Sequence, residues 1–177
     1  EFRRVLFRSM GYSYVNDDGP AMCFNAANNY QLGWYKDQID SINPIDLAES
    51  GPMTITLNGV EDYDFGKTSA LISLRLEKSG GKDYYIGYNK APIGGINQGT
   101  QEGKNQVLLV EKESGPTQYG QSWLLAALNW GNFYTIEEYA GKPFDVTIKV
   151  DSIQGKDAII TSLRCAAAHA KGASGTT

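Results

Sequence analysis

From about Asp46 onward, short apolar runs alternate with clusters of Gly, Pro, Asn and Asp. Thr54-Ile-Thr-Leu57 and Val146-Thr-Ile-Lys-Val150 alternate polar and apolar positions. That period of two gives a strand one buried and one wet face. The pattern predicts strands at Met53–Leu57, Ala70–Leu76, Tyr84–Tyr88, Gln106–Val110, Ser122–Leu128, Phe133–Ile136, Val146–Val150 and Ala158–Leu163. Their spacing follows the rhythm of roughly 8–12 residues expected of an antiparallel sandwich or barrel. Lys78-Ser-Gly-Gly-Lys82 reads as a hairpin turn.

Ahead of this region the pattern predicts one helix. Asn25 caps it, Ala26 to Leu32 form it, and Gly33 supplies a left-handed stop. Trp34 is expected to fold back on the helix, which is short and needs tertiary packing to persist. Met10 to Pro20 is rich in turn formers and reads as an irregular loop. The boundary between the two parts is placed in Ile39–Ser50, where Pro44 interrupts any continuing helix. The last stretch, Ala166 to Thr177, is small-residue-rich without apolar periodicity and reads as a loose tail. The expected fold is therefore mainly β: a loop and helix over 10–45, then an antiparallel β-sandwich-like domain over 46–165.

The length of 177 residues fits one domain, or one plus part of another. Hydrophobic residues at 41% with 20% charged argue for a packed core rather than disorder. No apolar run approaches the roughly 18 residues of a membrane span. The first nine residues, Glu1-Phe-Arg-Arg-Val-Leu-Phe-Arg-Ser9, resemble a translated sequencing adapter. Their apolar stretch is too short and too broken by arginines for a targeting segment. They carry Arg3, Arg4 and Arg8 against Glu1, and the tail carries Lys171, so the overall charge of −4 hides a body, Met10–Cys165, of −7. An acidic body without a basic cluster excludes a binder that neutralises nucleic-acid phosphates, and it suits a secreted protein.

Candidate chemistry is sparse. The one histidine, His169, lies in the tail without a His, Cys or acidic partner at ligand spacing, and reads as solvated. Triad catalysis lacks its base for the same reason. Cys23 and Cys165 either bridge, tying the two ends of the body together, or pair elsewhere. Closing so long a loop is worth about 4–5 kcal/mol in the chain-entropy model. Asn16-Asp17-Asp18 and Glu61-Asp62-Tyr63-Asp64 offer oxygen ligands for calcium, but neither has EF-hand spacing. Turn capping and a solvated strand end are the plainer readings. Trp123, Trp130, Tyr84, Tyr85 and Tyr88 suit either a core or a sugar-binding face.

The stretch Met10-Gly-Tyr-Ser-Tyr, Asp17-Asp-Gly-Pro20, Met22-Cys-Phe-Asn-Ala26 and Gln31-Leu-Gly-Trp-Tyr35 resembles the gametolysin family of zinc metallopeptidases. These are metzincin-type enzymes acting on extracellular matrix proteins. Tyr84-Tyr-Ile-Gly-Tyr-Asn89, Asn105-Gln-Val-Leu-Leu-Val110 and Ser122-Trp-Leu124 are similar to that family's β-rich region. In the family, two histidines of a His-Glu-x-x-His helix and a third histidine hold zinc, and the Glu is general base on zinc-bound water. None of these residues occurs here. By the resemblance, Met10 is the methionine of the Met-turn and Tyr12 a donor to the oxyanion. The helix after Asn25 would be the last of the catalytic unit, packing on the zinc helix.

The expectation is thus a C-terminal fragment of a secreted zinc metalloendopeptidase acting on extracellular matrix or cell-wall protein. Zinc would belong to the full-length enzyme, and the fragment would bind none and be inactive. The alternative is a non-catalytic β-sandwich module that binds glycan or glycoprotein. Neither reading involves nucleic acid or a membrane span.

Overall fold

A computed structural model describes residues 23–66, 69–78, 82–100, 102–113, 115–154 and 157–167. The chain is mainly β and builds two sheets. In chain order come α1 (Ala26–Leu32), β1 (Ile39–Ile42), the one-turn α2 (Leu47–Ser50), β2 (Met53–Asn58), β3 (Ser73–Leu76), β4 (Asp83–Tyr88), β5 (Val107–Lys112), β6 (Ser122–Leu128), β7 (Phe133–Ile136), β8 (Phe144–Gln154) and β9 (Asp157–Ala167). One sheet has the order β1-β3-β4-β5-β6, the other β2-β9-β8-β7.

The strand period explains the core. Leu74, Leu76, Tyr84, Ile86, Tyr88, Val107 and Leu109 point from the larger sheet into the same buried cluster as Ile55, Leu57, Val146, Ile148, Val150, Leu163 and Cys165 from the smaller. In β8 the intervening Lys149 is exposed, so that sheet keeps the wet face expected from its alternation. In β4 every residue is buried. Its second face is covered by α1, whose Ala26 and Ala27 pack with Tyr85 and Val110. Close approach is possible because Gly87 has no side chain: a Cβ there would lie 2.9 Å from that of Ala26. The Ser73 hydroxyl donates to the Ala26 carbonyl at 2.8 Å and fixes the helix start on the sheet.

The helix forms as its sequence dictates. The Asn25 side chain accepts from the Asn28 N–H, and Gly33 adopts the left-handed conformation and donates to the Asn29 and Tyr30 carbonyls. Trp34 folds back edge-on against Phe24, with ring centroids 5.4 Å apart.

Three sequence expectations need correction. The β arrangement is not wholly antiparallel: β1 lies in the stretch read as a boundary and pairs in parallel with β3. Residues Ala166 and Ala167, read as tail, extend β9 opposite Asp145 and Phe144. The strand expected from Ala70 starts at Ser73, because Leu71 instead bridges to Leu57 in the other sheet.

The covered face of the larger sheet also holds charge. The Arg75 Nε donates to Asp83 Oδ2 at 2.8 Å, while Asp83 Oδ1 accepts the Lys78 N–H at 3.0 Å. The guanidinium lies 5.9 Å from the Tyr30 ring centroid on α1. Lys112 is fully buried and donates to the Gly115 and Gln118 carbonyls at 2.9 and 2.6 Å. Burial pushes the Lys112 ammonium below the usual lysine range, with Asp83 opposing the shift. Asp83 is the anion near both cations. Asp83→Asn should therefore cost about 3 kcal/mol, the low end for breaking a buried pair, read as a lowered urea midpoint with unchanged slope.

Candidate functional site

The described start of the family-like block sits on a platform of loops organised by asparagines. Asn97, only 3% exposed, is its hub. Its Oδ1 accepts the Cys23 N–H at 3.0 Å, and its Nδ2 donates to Asn89 Oδ1 and the Lys90 carbonyl at 2.7 and 2.8 Å. Its own N–H donates to Glu61 Oε1 at 2.6 Å. Asn105 takes a positive φ of 56° and accepts the Ala91 N–H at 2.8 Å, the tolerance that suits Asn to such turns.

The acidic cluster after Val60 is spent on the same platform. Glu61 receives Asn97, and both Asp62 carboxylate oxygens receive the Lys90 ammonium at 2.7 Å. The Tyr63 hydroxyl donates to Asp37 at 2.9 Å, and the Gly66 N–H donates to Asp37 at 2.8 Å. That N–H is the main cause holding the Asp37 carboxyl below its ordinary range. Tyr35 stacks edge-on against Tyr63 at 4.7 Å. These side chains are engaged by loop N–H groups, an ammonium and a hydroxyl of the platform. Among the described residues no group of three or more His, Cys, Asp or Glu could hold a metal ion.

Cys23 and Cys165 are both free thiols. Cys23 lines a cavity of about 20 Å³ with Asn25, Ala26 and Gly87, on the helix side of the larger sheet. That volume suits a single water rather than a substrate. Cys165 belongs to the core between the sheets. Burial, then the Glu61 carboxylate, pushes the Cys23 thiol up to about 11. Burial, then Asp145, raises Cys165. Neither is a thiolate nucleophile at neutral pH.

Met10, Tyr12, His169 and the Asn16-Asp17-Asp18 cluster lie outside the described residues. The aromatic residues divide. Tyr84, Tyr85 and Tyr88 are buried, as core packing requires. Trp123 is half-buried beneath the Lys82 ammonium, 4.5 Å from its ring centroid. Trp130 and Phe133 are exposed at 74% and 64%. Phe133 borders the other notable opening, an open groove of about 570 Å³ beside β7. Nothing in the local pattern marks Asn97 as a hub, since its partners Cys23, Glu61, Asn89 and Lys90 come from three separate stretches of chain.

No family model matches the chain, and neither known proteins nor solved structures give a match.

The thiols can be checked directly. Intact mass without reductant should show two reduced cysteines. Native alkylation of Cys23 should be slow at pH 7.5 and rise about tenfold per pH unit toward 11, followed by peptide mapping.

Proposed function

We propose that the chain is part of a secreted zinc metalloendopeptidase of gametolysin type that cleaves extracellular matrix or cell-wall proteins. In this reading the two sheets are its sandwich-like domain, and residues 10–45 close the catalytic domain. The observation that supports it is that the residues carrying the resemblance also shape one local structure. Asn25 is the N-cap of α1, Ala26 its contact with Gly87, Gly33 its left-handed stop, and Trp34 the ring that returns to Phe24. The His-Glu-x-x-His ligands would belong to another part of the enzyme. In this reading Tyr12 is assigned the oxyanion.

A second reading, a non-catalytic module that binds glycan or glycoprotein, is favoured by one observation. The Trp130 and Phe133 rings stand exposed near the β6–β7 turn, and rings with an apolar face and water access suit sugar stacking. A glycan array probed with the chain separates this reading from the first.

The purified chain should bind no stoichiometric zinc and show no chelator-sensitive proteolysis; detecting stoichiometric zinc together with such proteolysis would overturn the assignment. Joined to a segment bearing a His-Glu-x-x-His helix, the protein should hydrolyse peptides. There Tyr12→Phe should lower kcat/KM by about 10²–10³, as loss of an oxyanion donor does. A drop under about tenfold removes that role from Tyr12.

A further inference from the structure

A third opening, a cleft of about 170 Å³, lies between the end of β3 and the connection from β7 to β8. Arg75, Glu77 and Lys78 line it on the first side, Ala140 and Lys142 on the second, and Asn43 from the turn after β1. Three of these side chains are cations and one is an anion, in a body whose charge is −7.

Arg75 is already committed. Its Nε meets Asp83 at 2.8 Å and its Nη1 meets Glu77 at 3.2 Å. Glu77 Oε1 also accepts the Ser41 hydroxyl at 2.6 Å. The two lysines are not committed. Among the described residues neither ammonium has an ion-pair or hydrogen-bond partner. Lys78 Nζ lies 5.4 Å from the Tyr84 ring centroid, which leaves its charge uncompensated. Two like charges at one small opening repel unless an anion joins them.

The wall that carries Lys142 is held against backbone preference. Glu138 and Ala140 take φ of 47° and 57°, the left-handed region that side chains other than glycine avoid. Tyr139, between them, is buried; its hydroxyl donates to the Glu77 carbonyl at 2.8 Å and its ring packs on Tyr84. That anchor fixes the strained turn, and with it Lys142, against the end of β3. Strain that the surroundings over-determine is found where a site is being shaped.

We infer that this cleft binds a phosphate group, as the free ion or as the end of a phosphomonoester. Lys78 and Lys142 supply two point charges against a group that is close to doubly charged at neutral pH. The Asn43 amide gives one N–H to Asp46 at 3.1 Å and has a second to give. A carboxylate is a poorer match, since it is singly charged and the guanidinium fork that suits its plane is closed on Asp83 and Glu77. The volume is below the roughly 300 Å³ of a pocket that swallows a drug-sized molecule, so the cleft takes the anionic group and leaves the rest outside. The inference does not depend on the peptidase reading.

Amide chemical-shift titrations of the whole chain at constant ionic strength test it, with inorganic phosphate and glycerol phosphate as probes. Saturable shifts are expected at Glu77, Lys78 and Ala140–Lys142. Tighter binding of glycerol phosphate assigns the monoester, and tighter binding of inorganic phosphate the free ion. Lys78→Gln and Lys142→Gln should each weaken binding about fivefold, the upper scale of one exposed ion pair. Lys142 is exposed, so its variant decides the matter even where Lys78→Gln disturbs the fold. Shifts that fail to saturate, or that centre on other residues, overturn the inference. So does undiminished binding by Lys142→Gln, or acetate binding as tightly as phosphate.

Discussion

Strand β4 is covered on both faces, and much else follows from that double burial. Residues Asp83 to Tyr88 give Tyr84, Ile86 and Tyr88 to the core between the sheets. They must also give Asp83, Tyr85 and Gly87 to the underside of α1. A helix can come that close only where side chains are small, hence Gly87 against Ala26. A carboxylate taken out of water there needs cations, hence Arg75 and the buried Lys112. The helix is too short to persist alone, and the sheet's second face would be wet without it. Each depends on the other.

That dependence changes how the N-terminal block is understood. In the family resemblance, α1 would close a catalytic unit by packing on a zinc helix. Its small residues here lie on the larger sheet, and β1, just after it, is hydrogen-bonded into that sheet. The block and the sheets form one body among the described residues. A neighbouring helix would have to use what α1 leaves exposed, such as Leu32 and Trp34.

The strands were legible where side chains alternate, because period-two patterning is a local property. Ser122–Leu128 and Phe133–Ile136 emerge with the bounds read from sequence. The helix was legible from its caps. β1 was not, since four residues, Ile39-Asp-Ser-Ile42, carry little pattern and their parallel partner lies some thirty residues on, with no turn signal between. β8 and β9 run longer than their apolar cores because a hairpin ladder extends through polar residues such as Asp145 and Gln154. The tyrosines of β4 show the same limit. Alternation placed Tyr84 and Tyr85 on opposite faces, but only the helix above Tyr85 decides that both are buried.

Side-chain chemistry was less legible than the fold, for a physical reason. Cys23 and Cys165 lie near opposite ends of the body in sequence, which invites a bridge, yet both are free thiols, one lining a small cavity beside α1 and the other in the core. The acidic run Glu61-Asp62-Tyr63-Asp64 invites a cation, yet Glu61 accepts the Asn97 N–H, Asp62 the Lys90 ammonium, Tyr63 donates to Asp37, and the Asp64 carbonyl accepts from Gln38. Polar groups in loops satisfy backbone donors before they serve any ligand, because unmet donors under partial burial cost about as much as a lost hydrogen bond.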